Sequence, residues 1–445
     1  MRAQRLTRSH RNHPESGQTI LLVALAIVSL LGMAALAIDV VTLYVARSET
    51  QRATDAAALA GAKAVADSGF TTLATGDTNY ASAKTLARTM AIQAVNAVVT
   101  ANPPVNLVAG SAPQLVGSPT VDTSRQGNVL VSVTLIRSNL PTFFSKIFGR
   151  TAATVSTTAV AEAYNPSNNS TFTPVAPLSL KPWLVANIDP NTGSPFIDPA
   201  TGNVNAATTV VGETFDLTPA CGNNGFNCTS LHGPGTYPSP SLQVDYVPLQ
   251  VTANTKNVCP SSCLGPSDYE RSIECADVNT YVAPSCGGGV ANSSWDNGVN
   301  PRHPARLSGP SAVGAECLIH ATGPGPLVGQ DTLDTSGWPL TNRMKITAHS
   351  GAQSGKQVTA SDSIVTIPIM DQTSFSSANA PVRVIGYIQA FINWVEPVTN
   401  AVTTRGDINV TVLNIAGCSN SPNAAPPVVG GAGTSPVPVR LITPP

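Results

Sequence analysis

Charged side chains are scarce in this chain of 445 residues. Asp, Glu, Lys and Arg together make up 11% of it, and aromatic residues make up 5%. The formal net charge of −1 at pH 7 excludes a large basic face of the kind that binds nucleic acid. We therefore expect no nucleic-acid partner, and a surface whose solubility comes from hydroxyl and amide groups.

Familiar catalytic motifs are also missing from the sequence. It contains no G-x-S-x-G elbow, no Walker loop and no H-E-x-x-H motif. Cys317 and His320 could suggest a thiol–imidazole pair, but in the strand that we predict there the two side chains would point to opposite faces. The sequence therefore predicts a protein that is not an enzyme and that has no cofactor and no metal site.

Cysteine is absent from the first 220 residues. The number of cysteines is even, and Gly, Pro, Asn and Ser surround them. Both observations predict disulfide bonds in an exported, loop-rich domain. Their connectivity is open, although pairs of neighbours are the simplest arrangement. A zinc site at Cys259, Cys263, Cys275 and Cys286 is the alternative, which export to an oxidising compartment disfavours. The eight disulfide candidates are Cys221, Cys228, Cys259, Cys263, Cys275, Cys286, Cys317 and Cys418.

Charge is absent altogether from residues 16–38. A helix needs about 20 apolar residues to cross the hydrocarbon core, so we predict a transmembrane helix there. The arm of residues 1–15 before it contains Arg2, Arg5, Arg8 and Arg11 and no acid until Glu15. By the positive-inside rule this arm stays in the cytoplasm and the rest of the chain is exported.

A cleaved signal peptide is the alternative interpretation, since Ala35-Leu36-Ala37 fits a cleavage site. The apolar run is longer than the usual h-region of about 7–15 residues. The helical pattern also continues past this site, with no helix breaker between Gly32 and Gly61. Both observations favour a retained anchor.

Small residues recur at helical spacing after the apolar run. Such a stripe allows another helix to approach closely, although Ala is also simply a good helix former. We expect Asp39 to be interfacial and solvated, with pairing to a partner subunit as the alternative. Arg47, Glu49, Arg52 and Asp55 should form a solvated face. The candidate helix-packing residues are Ala53, Ala56, Ala57, Ala60, Gly61 and Ala64.

The remaining pattern predicts an α+β fold. Residues 39–165 combine the long helix with a second helix at 79–99, strands at 128–136 and 151–163, and a short helix at 140–148. Residues 166–418 form a β-rich, loop-rich domain, and residues 419–445 form a Pro- and Gly-rich tail. The strands predicted in that domain are 244–251, 344–348, 363–368, 382–391 and 408–415.

The N-terminal segment resembles the TadE/TadG-like proteins of the tight-adherence (Flp) pilus assembly system. The resemblance rests on Glu15-Ser-Gly17-Gln18, Ala37-Ile38-Asp39-Val40, Leu43-Tyr44 and the run DAAALAGA at residues 55–62. The later stretches VSVTL, PTFFSKIFG and TVSTTAVAEA extend it to about residue 165. It implies a structural role in a single-pass protein of the bacterial inner membrane. Its partners would be other pilus-assembly subunits, reached through the N-terminal helix, with a periplasmic or extracellular head.

Two departures limit what the resemblance implies. The metal loop of the von Willebrand factor A domain found in larger members is not matched, because Trp338 stands where its last Ser would be. Gly17 is followed by no acid before Asp39, so we expect no prepilin-type cleavage. The alternative function is an anchored adhesin, or another surface-binding protein, whose C-terminal domain carries the activity for a ligand that remains unknown. An anchored hydrolase is a third hypothesis.

Overall fold

The computed structural model describes residues 16–101, 110–124, 127–168, 175–177, 180–205, 210–220, 242–251, 265, 267–275, 293–294, 309–374, 381–396, 407–417, 428–429 and 435–443. The chain divides into two compact units, each assembled from separate stretches of sequence. The first comprises Met1–Thr54, Val99–Gly117 and Thr134–Thr158. The second comprises Asp55–Val98, Ser118–Val133 and Ala159–Pro445.

The described part of the chain contains four α-helices. They are α1 (Ser16–Asp67), α2 (Tyr80–Ala101), α3 (Asp268–Glu274) and α4 (Pro310–Leu318). At 1.5 Å per residue, the 52 residues of α1 extend over about 78 Å. The helix continues without a break through Ala37, which confirms the unbroken helix predicted from the sequence.

The strands are short except for β3, β4, β15 and β16. The β-rich character predicted for the C-terminal region is confirmed, and each of its five predicted strands is present within a few residues. In chain order they are β1 (Gln114–Leu115), β2 (Thr120–Asp122), β3 (Asn128–Pro141), β4 (Ala152–Tyr164), β5 (Val175–Ala176), β6 (Trp183–Ala186), β7 (Thr214–Pro219), β8 (Gln243–Pro248), β9 (Ser293–Ser294), β10 (Thr332–Asp334), β11 (Lys345–Thr347), β12 (Gln357–Val358), β13 (Ile364–Met370), β14 (Pro381–Val382), β15 (Val384–Val395), β16 (Ile408–Gly417), β17 (Val428–Val429) and β18 (Val439–Ile442).

One sheet is formed by the order β1-β3-β4-β18, with β2 also paired to β3. Buried and half-buried residues alternate along most of β3, as expected of a strand with one covered face. The outer strand β18 comes from the C-terminal end of the chain and runs antiparallel to β4, with Val439 opposite Ala163 and Ile442 opposite Val160.

The second unit contains a closed barrel with the strand order β13-β15-β16-β7-β8-β6. The pairs β7–β8 and β13–β6 are parallel, and the other neighbours are antiparallel. Nearly every residue of these strands is buried, so the barrel is covered on its outer face as well as filled. Aromatic contacts contribute to this core, with ring centroids 6.2 Å apart in Trp183–Tyr246 and 6.0 Å apart in Phe196–Phe215.

Two short helices of the second unit pack against each other. Gly314 of α4 faces Ile273 of α3 so closely that a Cβ there would lie 3.0 Å from the Ile273 side chain. The buried Lys181 ammonium donates to the carbonyls of Ile273 and Cys275 at 2.8 and 2.7 Å, where the helix dipole favours a cation. The strand predicted around Cys317 was wrong, because this residue lies in α4.

The end of α1 that belongs to the second unit docks on barrel strand β16. The Asn414 amide donates to the carbonyl of Ala66 at 3.1 Å, and Thr72 Oγ1 donates to the carbonyl of Ile415 at 3.1 Å. Gly69 permits the turn after α1, since its φ is +77° and a Cβ would lie 2.6 Å from Val211. These contacts fix the end of α1 to the barrel.

Candidate functional site on the long helix

The N-terminal half of α1 is apolar around its whole circumference. Its large aliphatic side chains from Ile20 to Val41 are 51–71% exposed. A helix that is apolar on every face is stable in lipid or in a protein core, and within the part of the chain that the structure describes these large side chains are not covered by a core. Among the described residues α1 is the one helix long and apolar enough to cross a membrane, by length and composition.

Asp39, the first charged residue after the apolar run, is held by the loop that joins β3 to β4. Its carboxylate accepts hydrogen bonds from the backbone N–H groups of Phe143 at 2.7 Å, Phe144 at 3.1 Å and Ser145 at 2.7 Å. The Ser145 hydroxyl donates a further bond at 2.7 Å. These N–H groups begin the 3₁₀ turn Ser145–Phe148, where unpaired donors attract an anion.

The prediction that Asp39 is solvated is therefore wrong, since only 2% of this residue is exposed. The physical reason is that a carboxylate loses its hydrogen bonds to water on burial, and the four donors of the loop replace them. The sequence contained one signal of this arrangement, a single acid directly after a charge-free run. It did not indicate which segment supplies the donors, because that segment lies 104 residues further along the chain.

The loop bound by Asp39 exposes two aromatic side chains. Phe143 is 57% and Phe144 37% exposed. The cationic residues Lys146 and Arg150 follow and are exposed as well. The loop thus presents apolar rings and basic side chains from a backbone that is fixed to α1.

Glu49 forms the second long-range contact of α1 within the first unit. Its carboxylate lies 2.6 Å from Arg137 Nη1, and both side chains are buried. Arg137 Nε also donates to the carbonyl of Ser111 at 3.1 Å. Glu49 is thus not part of the predicted solvated face, because β3 covers it with a partner of opposite charge, while Arg47 and Arg52 are exposed as predicted.

Apolar packing around Ala46 holds the same part of the helix. Ala46 and Leu140 are its buried members, with Leu43, Val45, Ala153 and Val155 packed against them. Above this cluster the hydroxyls of Thr54 and Thr157 are 2.6 Å apart. Small side chains on α1 therefore already allow close packing within the first unit.

The six candidate helix-packing residues fall into two sets. Ala57 and Gly61 are buried, and a Cβ on Gly61 would lie 2.8 Å from Val131 Cγ1 and 2.9 Å from Val95 Cγ2. Ala56 is exposed, and Ala53, Ala60 and Ala64 are half-buried. Only the second set leaves surface that another molecule could reach, so the role of the six in binding a partner stays a prediction.

A cleft of ≈ 320 Å³ in the second unit contains a perturbed acid. It is lined by Asn79, Asn191, Val211, Gly212, Glu213, Thr335 and Trp338. Burial, together with the charge of Asp189 and a hydrogen bond to it, raises the pKa of Glu213 to about 8. Glu213 is therefore largely protonated at neutral pH, and its hydrogen bond is made to Asp189.

The other sequence candidates are mostly not described by the structure. Cys275 ends α3 and Cys317 lies in α4, whereas the other six cysteines and residues 1–15 lie outside the described residues. Three of the four residues of the alternative zinc site are among those six. His320 does not face Cys317 in a strand; its Nε2 lies 2.9 Å from Asp362 on the surface.

Comparison with known families identifies the N-terminal segment. Residues 17–64 match the model of a family described as putative Flp pilus-assembly TadE/G-like, which confirms the resemblance for this segment, while its extension to about residue 165 stays a prediction. The match covers the apolar half of α1, Asp39, Glu49 and all but the last few residues of the helix. No curated protein and no solved structure matches the chain.

Proposed function

We propose that this chain is a membrane-anchored, non-enzymatic protein of an Flp/Tad-type pilus system, acting as an assembly component or a minor-pilin-like subunit. The observation that carries the proposal is the family match over residues 17–64, on a helix whose apolar side chains are exposed on every face. Its role would be structural, through contacts of α1 with other subunits and through an exported head.

The proposed topology is a single pass through the bacterial inner membrane with the N-terminus in the cytoplasm. The arginines of residues 1–15 support this orientation, and the C-terminal domain would then be periplasmic or extracellular. We also propose that disulfide bonds stabilise this domain. In support, the sequence has an even number of cysteines, and Gly, Pro, Asn and Ser surround them.

The surface proposed to bind partner helices is the accessible set of small residues on α1. Ala56 and Ala60 lie four residues apart, hence on one face of the helix, and their small side chains would let a partner backbone approach closely. Ala57 and Gly61 are excluded from this surface because the second unit already covers them.

Substitution of Ala56 tests the proposal. Ala56→Leu should reduce copurification of the detergent-solubilised chain with the membrane components of the secretion system, and reduce piliation of the cells. Ala81→Leu is the matched control, since Ala81 is an exposed alanine at the start of α2. Isolation of the parent chain as a lone monomer, together with normal piliation of a deletion strain, would contradict the proposal.

The second candidate function is an anchored adhesin or other surface-binding protein. The cleft around Glu213 favours it, because a protonated carboxyl beside Trp338 and two asparagines can bind a polar ligand. Replacing residues 16–38 by an unrelated membrane helix, in a chain that also carries Ala56→Leu, discriminates the two functions. An adhesin keeps its activity after this exchange, whereas an assembly component loses it.

A further inference from the structure

We infer that the loop joining β3 to β4, residues 142–151, is a second membrane contact: it lies in the lipid headgroup region on the exported side, with Phe143 and Phe144 inserted at the acyl boundary. The inference rests on the proposed anchoring of α1. It assigns to this loop an interaction surface whose partner is the lipid bilayer itself.

The depth of the loop follows from helix geometry. The apolar segment from Gln18 to Ile38 spans about 30 Å at 1.5 Å per residue, which equals the thickness of the hydrocarbon core. Asp39 is the next residue, so it lies at the boundary between hydrocarbon and headgroups. The N–H groups of residues 143–145 are within 2.7–3.1 Å of its carboxylate, which places the loop backbone at the same depth.

The exposed side chains of the loop match that environment. Phe143 and Phe144 are exposed at the depth of Asp39, and the next residues of α1, Val40 and Val41, are exposed as well. Aromatic residues are enriched at this depth of a bilayer, and Tyr44 of α1 lies one helical turn further out. Lys146 and Arg150 can extend from the same loop to lipid phosphates.

In this arrangement the carboxylate of Asp39 would hold the loop at the bilayer surface. An acid at the edge of the hydrocarbon core is costly unless its oxygens accept hydrogen bonds. The loop supplies these bonds and in return is held at the bilayer surface. A lipid surface also accounts for the exposure of Phe143 and Phe144 in the loop and of Tyr44 on α1.

Tryptophan fluorescence in liposomes tests the inference. Three variants of the full chain, Phe143→Trp, Val116→Trp and Leu25→Trp, are reconstituted in phosphatidylcholine carrying bromine either near the ester end or near the end of the acyl chain. The four native tryptophans all follow residue 180, and the parent chain supplies their background. Leu25 lies within the apolar run and reports the anchoring on its own.

Val116 is the matched control because it is an exposed apolar residue of the same unit. Its N–H donates to Thr134, seven residues before the membrane end of β3, which corresponds to about 23 Å along the strand. We expect Phe143→Trp to be quenched several-fold more than Val116→Trp, and more strongly by the shallow bromine than by the deep one. Leu25→Trp should show the opposite depth preference.

Each other outcome contradicts a defined part of the inference. Quenching of Leu25→Trp without quenching of Phe143→Trp overturns the membrane contact of the loop and leaves the anchoring intact. Absence of quenching at both positions overturns the anchoring itself. A blue-shifted Phe143→Trp emission that is unquenched and decreases on dilution of the protein in lipid shows that a second copy, not lipid, covers the loop.

Discussion

At the scale of single residues, the two buried acids of the first unit are stabilised in different ways. Asp39 accepts hydrogen bonds mainly from backbone N–H groups, so no substitution in the loop short of proline removes these donors. Glu49 instead pairs with the guanidinium of Arg137. Removal of one member of a buried ion pair is strongly destabilising, so Arg137 of β3 contributes to holding Glu49 in α1.

Asp39→Asn should loosen the loop without unfolding the chain. The asparagine retains one carbonyl oxygen, but its NH₂ group would face N–H donors, and bonds to a charged acceptor contribute about 1.5–3 kcal/mol each. Hydrogen exchange of the amides of residues 143–145 should accelerate by about 100-fold, which corresponds to roughly 3 kcal/mol. Unchanged protection of these amides would contradict the structure.

Asp67→Asn is the control for that measurement. Asp67 is an acid on the same helix, and its partner Lys63 is an i,i+4 neighbour at the surface. Exposed pairs of this kind contribute at most about 1 kcal/mol. Exchange at residues 143–145 should therefore be the same in this variant as in the parent chain.

Glu213 should make the stability of the second unit depend on pH. Its folded-state pKa of about 8 lies above the ordinary value of 4.5, so the folded state holds a proton that the unfolded state releases between these values. The free energy of unfolding therefore falls as the pH rises from about 4.5 through about 8. In Glu213→Gln the free energy of unfolding should depend less on pH across this range. Thermal unfolding at a series of pH values measures this.

Asp189→Asn is a second variant for the same measurement. Removing its negative charge takes away one of the causes that raise the pKa of Glu213, so the pH-dependent fall should move to lower pH while burial keeps part of it. A parent chain and a Glu213→Gln variant with equal pH dependence would show that Glu213 is not the titrating group.

At the scale of elements, α1 has two kinds of surface in the second unit. Gly61 faces Val95 and Val131, where a Cβ would approach to within 2.8–2.9 Å of their methyl groups. Ala56 on the same helix is exposed. One sequence stripe of small residues thus serves packing within the chain on one side and leaves an accessible strip on the other.

Substitution by valine should separate these two surfaces. Gly61→Val overfills a closely packed contact and should lower the free energy of unfolding by about 1–3 kcal/mol. Ala56→Val should change it by no more than about 0.5 kcal/mol. Urea denaturation of the detergent-solubilised chain measures both, and equal effects at the two positions would contradict the assigned faces.

Local patterns predicted those elements whose side chains repeat with a clear period. The apolar run and the alanines predicted α1, and alternation predicted β3, because one covered face determines both patterns. Helix α4 was missed, since a helix of nine residues depends on packing against α3 more than on its own propensity. Neither the burial of Asp39 nor that of Glu49 could be inferred from the helix, because each partner lies on a distant segment.

At the scale of the whole molecule, the chain returns at its C-terminus to the sheet that it began near its N-terminus. Strand β18 covers the edge of β4 from Val160 to Ala163, and the Tyr164 N–H donates to the carbonyl of Pro438 at 3.0 Å. Arg440 pairs with the buried Glu162 and lies over the Tyr164 ring, 5.6 Å from its centroid. The end of a Pro- and Gly-rich segment is therefore paired into a sheet of the second unit as a half-exposed edge strand.

Truncation after Pro438 should destabilise this unit and make the chain self-associate. It removes β18, takes the cation Arg440 away from Glu162, and uncovers the edge of β4, which can pair with another molecule. We expect the free energy of unfolding in urea to fall by roughly 1.5–3 kcal/mol, as for loss of a hydrogen bond to a charged group, and larger species to appear in size-exclusion chromatography. Arg440→Met in the full chain separates the two causes: it removes the cation but keeps the strand, so it should lower stability without producing the larger species. If it produces them as well, the ion pair and not the covered edge keeps the protein from associating.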